Sequence, residues 1–206
     1  MLKKTLLLLP FLFLACSNKN VVHYENLTAL KWHNRIAKDV KSNNLDQADD
    51  DFLSLEAEHP ASPYIKTDLI ILALAHANIG EFKVAKFYLN QYEKRFASSK
   101  EIPWLEYEKI KFDFIKYNNP YTNQKDLLDL IDNCKKYLKY YPNSQFKYEV
   151  NTILAKAELT KKYLNDKIYK LYKKLDKPKA AKEFKTDIPK NSEPPYVPWY
   201  KKIFYW

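Results

Sequence analysis

Two neighbouring segments near the middle of the chain differ in how their apolar residues are placed. Residues 64–79 are apolar almost all round, and a helix without a polar face must be packed on several sides. Residues 83–96 carry one apolar stripe at helical spacing, with polar residues elsewhere. Pro63 suits a first helical turn, and Gly80 follows the first segment where a left-handed helix end is needed. The pattern predicts a buried helix followed by an amphipathic one, the unit of a helical solenoid.

Small, aromatic and proline residues recur at the spacing of tetratricopeptide repeats. The small residue lets the two helices of a repeat approach closely, the aromatic fills the gap to the next helix, and the proline ends the second helix. The first unit carries the tryptophan, alanine, aromatic and proline of this pattern at Trp32, Ala48, Phe52 and Pro60. The second unit has equivalents at Leu69, Ala85 and Leu89.

A third unit follows in a looser form. Apolar stripes predict helices over residues 102–117 and 126–141, separated by a loop around Asn118. Pro142 ends the second helix as a proline ends the first unit, and Ser144 is expected to cap the next helix.

The fourth unit begins with one long helix. Apolar residues recur near a seven-residue period from Phe146 onward, and nothing breaks the helix before Pro178, which begins a last short helix. The recurring residues are Val150, Ala157, Leu164, Ile168, Leu171 and Leu175. A single glycine and the lack of alternating apolar and polar residues argue against a sheet. We expect an all-α, tetratricopeptide-like solenoid of about four helix pairs over residues 24–186.

The N-terminus has the features of an exported lipoprotein. Residues 1–15 contain two lysines and a short apolar run, which is too short to span a bilayer and suits a signal peptide. Residues 12–16 resemble the lipobox of bacterial lipoproteins, in which Cys16 is acylated and becomes the new N-terminus. Residues 16–23 would then be a lipidated tether, and Ser17 resembles an outer-membrane sorting signal. The alternative is an ordinary signal peptide with an incidental cysteine.

The formal charge of +10 is unevenly distributed. Residues 24–60 contain eight acidic and four basic residues, whereas residues 161–185 contain ten lysines and three acidic residues. One interpretation is ordinary solvated helix faces. The other is an electrostatic polarity that orients the protein against a partner or against acidic lipid headgroups. Export argues against nucleic acid as the partner.

Residues 187–206 form a tail of different composition. Its prolines are incompatible with a helix, and its many aromatic residues are unusual for a plain disordered segment. The tail either folds back onto the last helices as a hydrophobic lid or docks onto a partner. The candidate docking residues are Tyr196, Trp199, Tyr200, Phe204 and Trp206.

Catalytic and metal-binding motifs are missing from the sequence. The four histidines share no ligand spacing, and one glycine cannot build a phosphate-binding loop. Residues 49–51 are three aspartates without the glycine and glutamate of a calcium loop, so a solvated helix face is expected there. Cys134 is expected to be a small buried hydrophobe. We predict no enzyme activity, no metal and no cofactor other than the lipid on Cys16.

Two segments between repeats resemble junctions of one family. Residues 58–64 (EHPASPY) and 140–146 (YYPNSQF) are similar to the inter-repeat junctions of the BamD (ComL) family, lipoproteins of the outer-membrane β-barrel assembly machinery. The resemblance covers residues 24–184. It implies a lipid-anchored scaffold that faces the periplasm. Its expected partners are a BamA-like barrel subunit, other assembly lipoproteins and unfolded outer-membrane clients.

The resemblance also implies a groove that engages the C-terminal targeting signal of clients. By position it would contain Trp32, Arg35, Asp39, Tyr64, Asp68, Leu69, Leu72 and His76. Because the chain lacks the family's usual fifth helix pair, the contact with the barrel subunit is expected to change or to pass to the tail. The final residues 203–206 partly imitate a client signal, which suggests a tail that competes with clients.

Two other functions fit the same features. One is another periplasmic tetratricopeptide lipoprotein, which would scaffold a division, secretion or motility complex of the envelope. The other is an accessory binding subunit of a peptidoglycan enzyme. Co-purifying partners distinguish these functions from barrel assembly.

Overall fold

The computed structural model describes residues 26–117, 124–189 and 192, and its regular structure over these ranges is entirely helical. The predicted signal peptide, the lipobox and most of the tail lie outside the described residues. The eight helices are α1 (Ala29–Lys41), α2 (Leu45–Glu58), α3 (Tyr64–Asn78), α4 (Phe82–Phe96), α5 (Ile102–Lys116), α6 (Gln124–Tyr140), α7 (Lys147–Lys174) and α8 (Pro178–Glu183). The all-α prediction and the four helix pairs are confirmed.

The helices pack as consecutive pairs, with each pair also contacting the next. The α3 helix contacts α1, α2 and α4, which confirms that its nearly continuous apolar surface is covered on several sides. The α4 helix buries a single stripe of Ala85, Tyr88, Leu89 and Tyr92, as the amphipathic pattern predicts. None of the helices in the described ranges is long and apolar enough to cross a membrane.

Two apolar clusters form the core, and α5 contributes to both. The first cluster runs from α1 to α5 and includes the repeat residues Trp32, Ala48, Phe52, Leu69, Ala85 and Leu89. The second cluster joins Ile110 of α5 to buried faces of α6 and α7. Leu105 and Phe112 of α5 belong to the first cluster. This helix therefore links the N-terminal and C-terminal halves through opposite faces.

The described turns between the two helices of a pair each contain a residue with a left-handed backbone conformation. Asn43 precedes α2 at φ 58°, Gly80 precedes α4 at φ 87°, and Asp176 precedes α8 at φ 51°. This left-handed conformation ends a helix by turning the chain back, and glycine, asparagine and aspartate tolerate it best. The sequence prediction identified this role only for Gly80.

The two segments that resemble family junctions have the same local structure. In the first, Ser62 Oγ accepts a hydrogen bond from the backbone N–H of Tyr64 at 3.2 Å. In the second, Ser144 Oγ accepts one from Phe146 at 3.1 Å. The N-cap residue of α7 is Phe146, so Ser144 does not occupy the cap position predicted for it. Its hydroxyl instead stabilises the turn just before the helix. Each proline, Pro60 or Pro142, lies two residues after the end of a helix.

The aromatic residue that ends each junction packs on the preceding pair. Tyr64 stacks on His33 of α1 with ring centroids 4.7 Å apart. Phe146 stacks on Tyr107 of α5 at 4.5 Å, with the rings nearly parallel. The repeated junction thus places an aromatic ring against the first helix of the previous pair, which fixes how successive pairs stack.

The last pair is less covered than the others. Leu171 and Leu175, which belong to the predicted apolar stripe of α7, are 53% and 54% exposed. The chain after α8 returns along α7, where the Thr186 hydroxyl donates to the Lys162 carbonyl at 3.2 Å. Further along, the Tyr163 hydroxyl donates to the Ser192 carbonyl at 2.6 Å. The array therefore ends with an incompletely buried helix.

Candidate functional site

The first two helix pairs hold a group of polar side chains close to the predicted groove. His33 Nδ1 lies 2.6 Å from Asp68 Oδ1, which joins α1 to α3. His33 is 20% exposed at its side chain, whereas Asp68 is fully buried. Tyr64 covers one face of the imidazole. The cluster therefore has an outer part formed by His33 and Tyr64 and an inner part formed by the Asp68 carboxylate.

Burial dominates the electrostatics of Asp68. Removal from water raises the pKa of Asp68 to about 6, although the hydrogen bond and charge of His33 act in the opposite direction. Its second oxygen, Oδ2, is buried without a hydrogen-bond partner, which disfavours the ionised form further. The α1–α3 contact is therefore sensitive to protonation.

A second polar contact joins α1 to α2. Arg35 binds the carboxylate of Asp51 through two nitrogens, with Nε at 3.0 Å from Oδ2 and Nη2 at 2.8 Å from Oδ1. Gln47 also donates to Asp51 at 3.0 Å. Burial raises the pKa of Asp51, while Gln47 and Arg35 act to lower it. The guanidinium also lies over the ring of Trp32 at 4.7 Å.

The prediction of a solvated face for the three aspartates is wrong. Asp51 is fully buried. Asp49 accepts a hydrogen bond from the Tyr88 hydroxyl at 2.7 Å, and its Oδ1 also lies 3.0 Å from His76 Nε2. The sequence held a signal for this arrangement. Arg35 and Asp51 are 16 residues apart, the same spacing as Trp32 and Ala48, so the repeat register already places them opposite each other.

His76 lies in a third polar contact, away from solvent. The side chain is 2% exposed and contacts two carboxylates, with Nδ1 at 2.6 Å from Glu81 and Nε2 at 3.0 Å from Asp49. Burial alone would lower the pKa of His76, but the hydrogen bonds to Asp49 and Glu81 outweigh it and raise the pKa. The ring also stacks on Tyr88. This residue fastens α3 to α2 and to the start of α4.

The residues predicted to line the client groove divide by exposure. Trp32, Leu69 and Leu72 are 0% exposed and belong to the first core cluster. The Trp32 indole N–H donates to Glu58 Oε2 at 2.7 Å, so its polar atom is also engaged. Asp68 and His76 are buried in the polar contacts described above. The predicted residues with accessible surface are Arg35, Asp39 and Tyr64.

His33 extends this accessible set, although the sequence reasoning missed it. Its ring is held by Asp68 and Tyr64 and remains partly exposed beside them. A histidine without ligand spacing gave no signal from sequence alone. His33 and Arg35 flank the buried stripe of α1 on opposite sides, because residues two apart on a helix point about 200° from each other. The accessible parts of His33, Arg35, Asp39 and Tyr64 are together called the N-terminal surface below. They can offer a guanidinium, a carboxylate and aromatic rings to an extended peptide.

Several apolar side chains near the ends of α3 and α5 are also exposed. Ile79 is 44% and Ile115 is 51% exposed, and both line a shallow hollow together with Gly80 and Phe82. Leu74, five residues before Ile79, is 38% exposed on another side of α3. An apolar surface of this kind on a helical repeat array suits peptide side chains.

The described residues contain no group of three or more His, Cys, Asp or Glu side chains arranged to hold a metal ion. Cys134 is buried within the second core cluster, as predicted. Burial, together with the charge of Asp113, raises the pKa of its thiol to about 12. Such a thiol is a poor nucleophile, so its contribution is to packing.

Comparison with known proteins agrees with the junction resemblance. Residues 27–191 match the family YfiO, described as an outer membrane lipoprotein. The chain is also similar to the outer membrane protein assembly factor BamD of Helicobacter pylori (strain ATCC 700392 / 26695). The two are 30% identical over 198 residues, which cover 93% of this chain and 90% of that protein. With its array of helix pairs and its repeated junctions, the chain belongs to the YfiO, or BamD-like, family of outer membrane lipoproteins.

Proposed function

We propose that the chain is a subunit of the machinery that assembles β-barrel proteins in the outer membrane. The observation that carries this proposal is the 30% identity to a protein named as a BamD assembly factor, which extends over nearly the whole of both chains. The repeated junctions support it, because they set the stacking of helix pairs that such a scaffold uses to present binding surfaces.

The proposal includes an anchor at Cys16. Acylation of this cysteine would hold the mature chain on the outer membrane, with the helix array facing the periplasm. The family description as an outer membrane lipoprotein supports this position. The test is a Cys16→Ser variant, which should lose incorporation of labelled palmitate and leave the membrane fraction. Retention of both would contradict the anchor.

The N-terminal surface is the part of the predicted groove that we propose to bind clients. An unfolded barrel protein is an extended chain, and rigid aromatic and cationic side chains bind such chains with little loss of conformational freedom. Arg35 is fixed by its two bonds to Asp51, and Tyr64 is fixed by stacking on His33. Both groups are therefore held in position before a client arrives.

Peptide binding tests this assignment directly. A fluorescent peptide that ends in alternating aromatic residues should bind the wild-type chain, and Tyr64→Ala should weaken its binding about tenfold or more, as expected for an aromatic anchor. The matched control is Tyr140→Ala, which removes a 67% exposed tyrosine from α6, outside the N-terminal surface. Equal affinities of the two variants would show that the client binds elsewhere, for example at the exposed apolar surface near Ile115.

The proposed role is binding and positioning, without catalysis. Its partners would be a BamA-like barrel subunit and other assembly lipoproteins. The resemblance implies that the C-terminal part makes the contact with the barrel subunit, and we assign this contact in the present chain to the aromatic tail, residues 187–206.

The C-terminal tail is proposed as a second binding element. Tyr196, Trp199, Tyr200, Phe204 and Trp206 lie outside the described residues. Deletion of residues 196–206 distinguishes its two possible roles. If the tail competes with clients, deletion raises peptide affinity. If it docks onto the barrel subunit, deletion leaves peptide affinity unchanged and reduces recovery of that subunit.

A further inference from the structure

The C-terminal helices carry a dense cationic surface. Ten lysines and three acidic residues lie between Lys161 and Lys185, and all ten lysine side chains are exposed. Lys170 pairs with Asp166 at 2.6 Å across one helical turn. Water and salt screen an exposed pair of this kind, so the pair contributes little. The lysines still outnumber the acidic residues by seven, and the surface keeps a positive potential.

Exposed apolar groups lie within this cationic surface. Leu164 is buried against the rest of the array, but Leu171 and Leu175, further along the same stripe, are more than half exposed. The α8 helix covers a neighbouring side of α7, where Phe184 stacks on Tyr172. Lys167, Lys170 and Lys174 lie within one turn of Leu171. The uncovered side is thus a short apolar strip bordered by lysines.

The combination of lysines and exposed leucines on this surface favours lipid as its partner. A lysine stem lies along apolar surface while its ammonium reaches outward, which suits a fluid layer of phosphate headgroups over hydrocarbon. Leu171 and Leu175 supply exposed apolar surface beside these lysines.

The charge distribution along the chain supplies a direction. Residues 24–60 have an excess of acidic residues, so an anionic surface repels the first helix pair and attracts the last. An anchor at Cys16 would keep residue 26 within about 35 Å of the membrane, because ten residues span no more than this distance. A second membrane contact at α7 would fix the orientation of the array.

We propose that the exposed side of α7 and α8 binds anionic phospholipid headgroups of the membrane that holds the lipid anchor. The lysines bind phosphates, and Leu171 and Leu175 enter the headgroup boundary. The helix array is thereby held against the membrane at its C-terminal end. This inference goes beyond the proposed function and rests on it only for the anchor that brings the chain to a membrane.

Vesicle binding by the mature chain, made without its lipid, tests the proposal. The wild-type chain should bind vesicles of phosphatidylcholine mixed with phosphatidylglycerol, and it should bind pure phosphatidylcholine vesicles weakly. High salt should reduce the binding steeply. A triple variant with Lys167→Gln, Lys170→Gln and Lys174→Gln should lose on the order of 100-fold in affinity.

A matched triple variant controls for net charge. Lys83→Gln, Lys94→Gln and Lys100→Gln remove the same charge from exposed lysines on and after α4, and this variant should keep the wild-type affinity. Replacing Leu171 and Leu175 with serine should weaken the binding that remains in high salt. Loss of that residual binding supports insertion of the apolar strip.

Three results would overturn the inference: equal affinity for both kinds of vesicle, equal losses in the two triple variants, or residual high-salt binding that survives the serine changes. If the α7 lysines instead capture an acidic protein without vesicle binding, the surface is a protein interface and the inference is also wrong. Peptide affinity and recovery of the barrel subunit, measured with the same variants, test the proposed function separately. Unchanged peptide affinity and unchanged recovery of the barrel subunit, together with failed vesicle binding, would show that only the lipid contact is wrong.

Discussion

His33 Nδ1 lies 2.6 Å from Asp68 Oδ1, and this contact joins the first helices of two successive repeats. The carboxylate is fully buried, while the imidazole reaches the N-terminal surface. A charge-sensitive contact between repeats therefore lies beside the residues proposed to bind clients. Protonation of Asp68 therefore affects the stability of the array at a contact whose imidazole also stacks on Tyr64.

The stability of the protein should rise as the pH falls from 7 to 5. The pKa of Asp68 is about 6 when folded and 3.8 in the reference state, so the folded chain binds more protons in this range. Such a group contributes stability at low pH that is lost as the pH rises through its folded pKa. The raised pKa values of Asp51 and His76 act in the same direction.

Urea unfolding at the two pH values measures this effect. The contribution of Asp68 is about 1 kcal/mol between pH 5 and pH 7, and Asp68→Asn should remove that part of the difference. Far-ultraviolet circular dichroism of the variant controls for its helicity. An Asp68→Asn variant with the same pH slope as the wild type would show that this carboxylate titrates normally.

Trp32 should act as a core residue and not as a flexible part of the groove. Its side chain is 0% exposed and its indole N–H is bonded to Glu58. Trp32→Ala should reduce the free energy of unfolding by about 3–5 kcal/mol. Leu30→Ala, two residues earlier and 50% exposed, should cost less than about 1 kcal/mol. Similar losses in the two variants would contradict the packing of α1.

Gly80 should be required for its backbone conformation. It adopts φ 87°, and the nearest atom to an added Cβ would be Phe82 Cε2 at 4.0 Å, so the site has room for a side chain. Gly80→Ala should still cost about 1 kcal/mol because the left-handed conformation is strained with a Cβ. Gly80→Asn should cost less than Gly80→Val. Three variants of equal stability would show that the turn relaxes.

Cysteine reactivity should report both the core and the anchor. The sequence has two cysteines, and acylation of Cys16 would leave Cys134 as the free thiol. Because Cys134 is buried and its pKa is about 12, the native lipidated chain should react slowly with a thiol reagent and quickly after unfolding. An Ile115→Cys variant supplies a half-exposed control thiol. A second, rapidly reacting thiol in the native wild type would contradict acylation of Cys16.

The sequence predicted most of the fold because apolar spacing, prolines and the single glycine act locally. Helix pairs, the long α7 and the junction at Pro60 all follow from such signals. Exposure was harder to predict. Asp51 was expected in water, yet it is buried because Arg35, 16 residues away, reaches its carboxylate. Leu171 lies on the apolar stripe predicted for α7, yet its side chain is 53% exposed.

The candidate site shows the same division. Tyr64 and Arg35 were placed in the groove by family position, and both have accessible surface. Leu72 was placed there as well, but helical periodicity cannot distinguish a groove residue from a core residue on the same face of α3. The pairing of His33 with Asp68 required the three-dimensional register of α1 against α3, which no local pattern specifies.

Affinity purification distinguishes a role in barrel assembly from the other envelope functions. The lipidated chain, tagged between α5 and α6 so that both ends stay free, would be extracted in mild detergent and its partners identified by mass spectrometry. A subunit of the barrel assembly machinery should recover a BamA-like barrel protein together with other assembly lipoproteins. Recovery of division, secretion, motility or peptidoglycan proteins in their place, with no barrel protein, would contradict this role.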